Sequence, residues 1–512
     1  MRVAPKQVET EDQAPTIEQC APSSAPFWAW PALIAGLGLL LRILYLHHES
    51  VSGDEAFSIT LTRDPLGLMM HRLVLDLVHP PLHYLALREW LELFGFGLMQ
   101  ARVLSVIFGT LAIVFLYLLA EYLFDRRVAA LSALLMAVSQ LAIMFSQEAR
   151  PYAQTHLLAL ACTYLFLRAW REERALYWWS FVGCSVLLLY TNYFGAFLIA
   201  ALLLVALIYR KHHRLRLGRL VGGVVVMLVL YEPWLASGII QEATKPGRVS
   251  TGTIEYSAVH WWTFLSILNS FNNGKPAGLR SDSPWWTYVV GGLLFTLPLA
   301  LLLTKIFGDK ADDGAAEASD RKGIVTAGVL CLLPIVLTLL SGKTLHIPYN
   351  VRYVSYCAAF YYLLVARAIL ELPLQALRWS VVALILLYSA NALQANYFLR
   401  WKEDWDAAFA YVDSHRQARD CGVFPPDFKL LQPWEVTQAE QPPLFRRLSQ
   451  AALAAGAPGC TRLWEVVGAP RDEWRQWNEY KRTKDPIPAE FGKITEQRFY
   501  GVRVSLYSRD TK

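Results

Sequence analysis

The chain has 512 residues, of which 55% are hydrophobic and only 18% charged, with 18 tryptophans. That is more apolar material than one soluble core of this length needs, and it places the chain among membrane proteins. The formal charge of +6 is spread between apolar runs rather than gathered in one patch, which argues against nucleic-acid binding.

Residues 1–26 form a polar tail, expected to be cytoplasmic. The apolar run that follows is too long for a cleavable signal and lacks a small-x-small cleavage site, so it is expected to stay as an anchor. A spanning helix needs about 20 mostly apolar residues, and roughly eleven such runs precede residue 400. They cover about 27–47, 98–120, 128–146, 153–170, 177–194, 196–209, 220–238, 286–306, 324–341, 351–370 and 379–397. The expected fold is an all-α polytopic membrane protein, with a transmembrane core over 27–397 and an extracytoplasmic domain over 398–512.

Lysine and arginine in short loops set the orientation. Arg126 and Arg127, Arg168 to Arg174, Arg210 to Arg219, Lys305 to Lys322, and Arg367 with Arg378 mark alternate loops, which are assigned to the cytoplasm. Parity then places outside the segments 48–97 and 239–285, the corner Glu148–Tyr152, the loop Ser341–Asn350 and the C-terminal tail.

The tail loses the apolar runs and gains Trp, Pro and charge. Arg462–Val467 and Phe499–Tyr507 alternate as strands do, and Trp405–Arg416 reads as a helix, giving a small α/β domain. Five of the seven cysteines lie in the N-terminal tail or the apolar runs, while Cys421 and Cys460 share the C-terminal segment. Outside the cytoplasm these two can form a disulfide, or both can be buried thiols.

Chemistry is sought among ionisable residues that a membrane makes costly. Asp54 and Glu55 follow the first run directly. Neighbours on a helix diverge by about 100°, so one carboxylate can face a substrate while the other meets the backbone or a partner. The plain alternative is a solvated helix N-terminus. His79-Pro80-Pro81-Leu82-His83 places two histidines four apart, as a metal pair or as a rigid turn with a hydrogen-bonded His79 and a packed His83. Glu148-Ala149-Arg150-Pro151-Tyr152 can form ion pairs, or Arg150 can simply snorkel. Arg42, Arg102, Lys343, His346 and Arg352 complete the set, and buried arginines call for anionic partners, for which a lipid phosphate would serve. Trp261, Trp262, Asn269, Asn272, Asn273, Lys275 and Arg280 suit sugar binding or an interfacial belt. Gly-x-Gly-x-x-Gly, Walker A, His-Glu-x-x-His and Gly-x-Ser-x-Gly are all missing, which withdraws support from nucleotide, zinc and serine chemistry.

Together, Asp54-Glu55, His79-Pro80-Pro81-Leu82, Arg102 ahead of Ser105 and Gly109, and Ser146-Gln147-Glu148-Ala149-Arg150-Pro151-Tyr152 resemble the GT-C superfamily. More narrowly, they resemble bacterial relatives of protein O-mannosyltransferases and lipid A aminoarabinose transferases. The resemblance covers most of 27–400; His83 departs from it, standing where an aromatic residue is expected. It implies outer-face juxtamembrane helices and a polyprenyl-phosphate sugar donor. It also implies inverting transfer to a glycolipid, polysaccharide or protein outside the cytoplasm, in a bacterial inner membrane. The site it implies has Asp54 as general base and Glu55 orienting it, with His79, Arg102, Glu148, Arg150, Tyr152, Lys343 and Arg352 binding substrate. It leaves the divalent metal open, because members of the superfamily differ in using one. Two rival classes are a flippase of lipid-linked sugars, against which polar residues crowded on one face count, and an O-antigen ligase or polymerase, against which Asp54-Glu55 counts.

Overall fold

A computed structural model describes residues 28–209, 217–240, 261–274, 285–308, 315–345, 350–398, 402–423, 436, 446–468 and 487–509. The tail 1–26, Lys275, Arg280 and His346 lie outside them, and so do the side chains of Trp261, Trp262 and Lys343.

Each of the eleven apolar runs falls on helix. In chain order the helices are α1 (Ala29–Ile43), α2 (Gly53–Thr62), α3 (Leu66–Asp76), α4 (Leu82–Phe94), α5 (Leu98–Leu123), α6 (Arg126–Val138), α7 (Gln140–Ser146), α8 (Tyr152–Glu172), α9 (Ala175–Leu189) and α10 (Gly195–Ile208). They continue with α11 (Leu217–Trp234), α12 (Trp261–Asn273), α13 (Trp285–Gly291), α14 (Leu297–Gly308), α15 (Ala315–Leu345), α16 (Cys357–Glu371), α17 (Gln375–Phe398), α18 (Trp405–His415) and α19 (Gln450–Ala454). Among the described residues, five helical stretches are long and apolar enough to cross a membrane unaided: Leu98–Leu123, Gly218–Ile239, Trp285–Ile306, Ser319–Ser341 and Gln375–Phe398. The pair α6–α7, bent by 61°, makes a sixth, and three more apolar helices are shorter.

The bend has a local cause. Ser139 leaves the helical conformation, its Oγ accepts from Ala142 N to cap α7, and it shares a 2.7 Å hydrogen bond with Tyr362 Oη on α16. A serine that serves as cap and as interhelical tie turns one apolar run into two helices, which brings α7 back toward α1. Pro151 then holds the first-turn geometry of α8 and closes a tight corner at 147–151.

The C-terminal residues form a five-stranded sheet of order β2-β1-β3-β5-β4: β1 Asp420–Val423, β2 Arg446–Arg447, β3 Arg462–Gly468, β4 Phe491–Phe499 and β5 Val502–Arg509. The first three strands run parallel, while β3, β5 and β4 are antiparallel. Helix α18 covers one face through Trp405, Phe409 and Val412 against Trp464, Val504 and Leu506. The expected strand at Phe499–Tyr507 is instead the β4–β5 turn plus most of β5, because Gly501 sits at φ +68° and lets the chain reverse there. Cys421 and Cys460 are joined in a disulfide across the opposite face.

Candidate active site

The ionisable residues of the first loop, the 147–151 corner and the segment before α16 meet at one end of the helices. Helix α2 starts with a capping box: Ser52 Oγ accepts from Glu55 N at 3.3 Å, and Glu55 Oε2 accepts from Ser52 N at 3.1 Å. The box sends the two carboxylates apart. Glu55 is fully buried, while the Asp54 side chain is 53% exposed.

Glu55 is saturated. Its oxygens accept from Arg102 Nε at 2.8 Å and Nη2 at 2.9 Å, from Ala149 N at 3.2 Å, and from Lys402 Nζ at 2.9 Å. Arg102 also donates to the carbonyls of Leu46, Glu49 and Ser50 and is 1% exposed. Both side chains are thus engaged within the protein, with Glu55 held beside Asp54 at the start of α2 and Arg102 bound to it. Against the desolvation that pushes it up, Arg102 and Lys402 hold the Glu55 carboxyl below its ordinary range. Arg42 is likewise satisfied within the protein, by Ser146 Oγ and the carbonyls of Gly38, Ala137 and Met136, and needs no lipid partner.

Asp54 lies among cations. Its Oδ2 accepts from Arg352 Nη1 at 2.7 Å, and its backbone carbonyl accepts from Arg150 Nη1 at 3.1 Å. Desolvation pushes its pKa up, but Arg150, Arg352 and His79 outweigh this and hold it below the ordinary carboxylate range. Arg352 precedes α16 on a short 3₁₀ turn capped by Asn350, whose Oδ1 accepts from Arg352 N at 3.1 Å. Its Nε is buried without a hydrogen-bond partner among the described residues. The Tyr152 ring lies between the two arginines, 5.9 Å from each guanidinium carbon.

Arg150 is fixed from the far side. Its Nη1 reaches Ser58 Oγ at 3.1 Å and Tyr84 Oη at 3.2 Å, and its Nη2 lies 2.5 Å from His79 Nε2. Guanidinium only donates, so His79 Nε2 is an acceptor and its proton sits on Nδ1, facing Asp76 Oδ2 at 2.5 Å. Burial and Arg150 together lower the His79 pKa, which agrees with a neutral ring. Pro80 and Pro81 lead into α4, with Pro81 at its N-cap. His83 turns away from His79 to place Nδ1 3.0 Å from Gln154 Oε1, so the two imidazoles do not share a ligand. Among the described residues no three His, Cys, Asp or Glu side chains are grouped to hold a metal ion.

Glu148 is 3.6 Å from Lys402 Nζ, and desolvation, with Glu55 and Asp54 nearby, raises its pKa. Sequence reasoning missed Lys402 and Asp76. Asp76 carried a signal in its three-residue spacing from His79; Lys402 carried none, since a lysine after a span is ordinary.

Most of the chain is helical, a small sheet follows, and the architecture matches that of ArnT from Cupriavidus metallidurans bound to undecaprenyl phosphate, with a TM-score of 0.56. The sequences are 14% identical, and the match covers 94% of this chain and 98% of that one. The apo state of the same protein gives a TM-score of 0.55 at 14% identity, covering 93% and 97%. An Archaeoglobus fulgidus oligosaccharyltransferase tethered with an acceptor peptide aligns at a TM-score of 0.47 and 14% identity, over 86% of this chain and 68% of that one. Residues 78–236 match the family described as dolichyl-phosphate-mannose-protein mannosyltransferase. No curated protein sequence matches the chain. The chain shares the overall fold of the ArnT structures, and its residues 78–236 are similar to the protein-mannosyltransferase family.

Proposed function

We propose that the protein is a membrane glycosyltransferase that moves a sugar from a polyprenyl-phosphate donor to an extracytoplasmic acceptor with inversion. The observation that carries this reading is the half-exposed Asp54 carboxylate paired with Arg352, whose Nε has no hydrogen-bond partner among the described residues. The ArnT relative is bound to a polyprenyl phosphate, which agrees with a phosphate-carrying donor.

Asp54 takes the proton of the acceptor hydroxyl as its oxygen bonds to the anomeric carbon. The bond from that carbon to the donor phosphate oxygen breaks, and the polyprenyl phosphate departs with the bonding pair. Arg352 meets the phosphate through its fork and steadies its charge, and Arg150 adds positive potential behind it. While paired with Arg352, Asp54 is ionised but weakly basic; a donor phosphate that draws Arg352 to itself raises the basicity of the carboxylate. His79 and Tyr152 shape the sugar side of the site; Lys343, proposed from the sequence as a phosphate ligand, has its side chain outside the described residues.

The test is incorporation of label from radiolabelled polyprenyl-phosphate sugars in membranes carrying wild-type protein or Asp54→Asn. We expect the variant, at equal protein level, to lose at least about 100-fold in rate, the lower range for removal of a general base. Unchanged incorporation removes Asp54 from the chemistry.

A further inference from the structure

We propose that Lys402 is a positioning residue for this transfer: it closes the buried Glu55–Arg102–Glu148 cluster and so fixes the N-terminus of α2, which carries Asp54. The inference rests on the transfer reading above and adds a residue from the C-terminal segment to its site.

Lys402 is 5% exposed and lies beyond the last transmembrane helix, yet its Nζ reaches Glu55 at 2.9 Å and Glu148 at 3.6 Å. The Glu55 carboxylate is the knot between two substrate-facing elements. It holds Ser52 N at the start of α2, next to Asp54, and Ala149 N in the corner, next to Arg150. A shift of Glu55 therefore moves Asp54 and Arg150 together.

The segment bearing Lys402 is clamped on both sides. Toward the core, Lys402 N donates to Glu49 Oε2 at 3.2 Å, and Asp406 Oδ2 accepts from Ser50 Oγ at 2.7 Å. Toward the sheet, Asp404 N donates to Tyr500 O at 2.8 Å, and Glu403 packs so close to Gly501 that an added Cβ would lie 2.9 Å from its Cγ. The C-terminal domain thus delivers a buried cation to the site through a short braced strap.

Charge explains why a lysine is needed there. Arg102 and Lys402 face Glu55 and Glu148, so the cluster balances with both carboxylates ionised. Without Lys402, one guanidinium is left with two buried carboxylates, and one of them must protonate or move toward water. A loss of packing alone is not repaired by deleting a second side chain's charge, whereas a charge imbalance is.

The experiment uses the full chain in detergent and reads transfer kinetics and thermal unfolding of Lys402→Met, Lys402→Arg, Glu148→Gln and the Lys402→Met/Glu148→Gln pair. Lys402→Met is expected to lower kcat by about 100-fold, the order reached when reacting groups shift by an ångström, with the donor KM changed little. Lys402→Arg is expected to keep most of kcat. The double variant is expected to regain Tm relative to Lys402→Met. Wild-type kcat in Lys402→Met, or Tm shifts that simply add in the double variant, overturns the proposal. A wild-type chain that transfers no sugar sinks the transfer reading by itself, while the Tm coupling still reports on the cluster.

Discussion

His83 shows how burial sets the chemistry of a single residue at this site. It is fully buried in α4, and desolvation pushes its pKa down to about 3 despite the Gln154 contact. The folded protein therefore holds a neutral ring, while the unfolded ring titrates near its ordinary value of about 6.5. The unfolded state binds more protons between these values, so stability is complete above about pH 6.5 and falls as pH drops, by up to about 1.4 kcal/mol per unit. His79, also shifted down, adds in the same direction, whereas the raised pKa of Glu148 acts oppositely. Thermal unfolding between pH 7 and 4.5 is expected to show a falling Tm, and His83→Gln is expected to flatten the fall; an equal slope in the variant would clear His83 of the effect. The motif around His83 was visible in the sequence, and its two readings, metal pair or rigid turn, differ only in where the rings point. Spacing cannot report that, because the direction of His79 depends on Asp76 and Arg150.

Between elements, close approach of backbones decides the packing. Gly109 on α5 faces α7 so tightly that a Cβ would come within 2.0 Å of Ser146 Oγ and 3.1 Å of Arg42 Nε. Arg42 donates to that same serine, so the glycine makes room for the tie between α1, α5 and α7. Gly109→Ala is expected to cost about 1–3 kcal/mol by overpacking. Gly36 on α1 has nothing within 4 Å, and Gly36→Ala is expected to be neutral or slightly stabilising through helix propensity. The difference between their Tm values in detergent checks this; equal shifts would mean that the space at Gly109 is not used. Element type was legible for the same reason that membranes restrict structure: an apolar run must pair its backbone within itself, so each of the eleven runs became helix. The break at Ser139 was not legible, since its role depends on Tyr362, 223 residues away. Likewise the site corner was foreseeable from Asp54, Arg150 and Arg352, whereas the turning inward of Glu55 and Arg102 follows from a three-dimensional knot that also needs Lys402.

Across the whole molecule, two features bear on the proposed side of the membrane for the site. Arg126, Arg168, Lys305 and Arg367 gather at the helix ends away from Asp54, where Lys305 and Arg367 share Glu371 and Arg367 also pairs with Asp320. An excess of such residues marks the cytoplasmic side. At the other end, the domain braced against Ser50 and Glu49 holds the Cys421–Cys460 disulfide, which persists only in an oxidising compartment. Both features agree with the proposed placement of Asp54 outside the cytoplasm. In intact cells, a membrane-impermeant maleimide is expected to label Cys421 and Cys460 only after reduction. Labelling without reduction would remove the disulfide, and protection even after reduction, with labelling on lysis, would turn the site to the cytoplasm. The bond closes a 39-residue separation, which on the chain-entropy account is worth about 4 kcal/mol to the domain. Cys421→Ala is therefore expected to loosen the domain, and with it the strap that seats Lys402, so transfer should fall in a variant that alters no residue at the site.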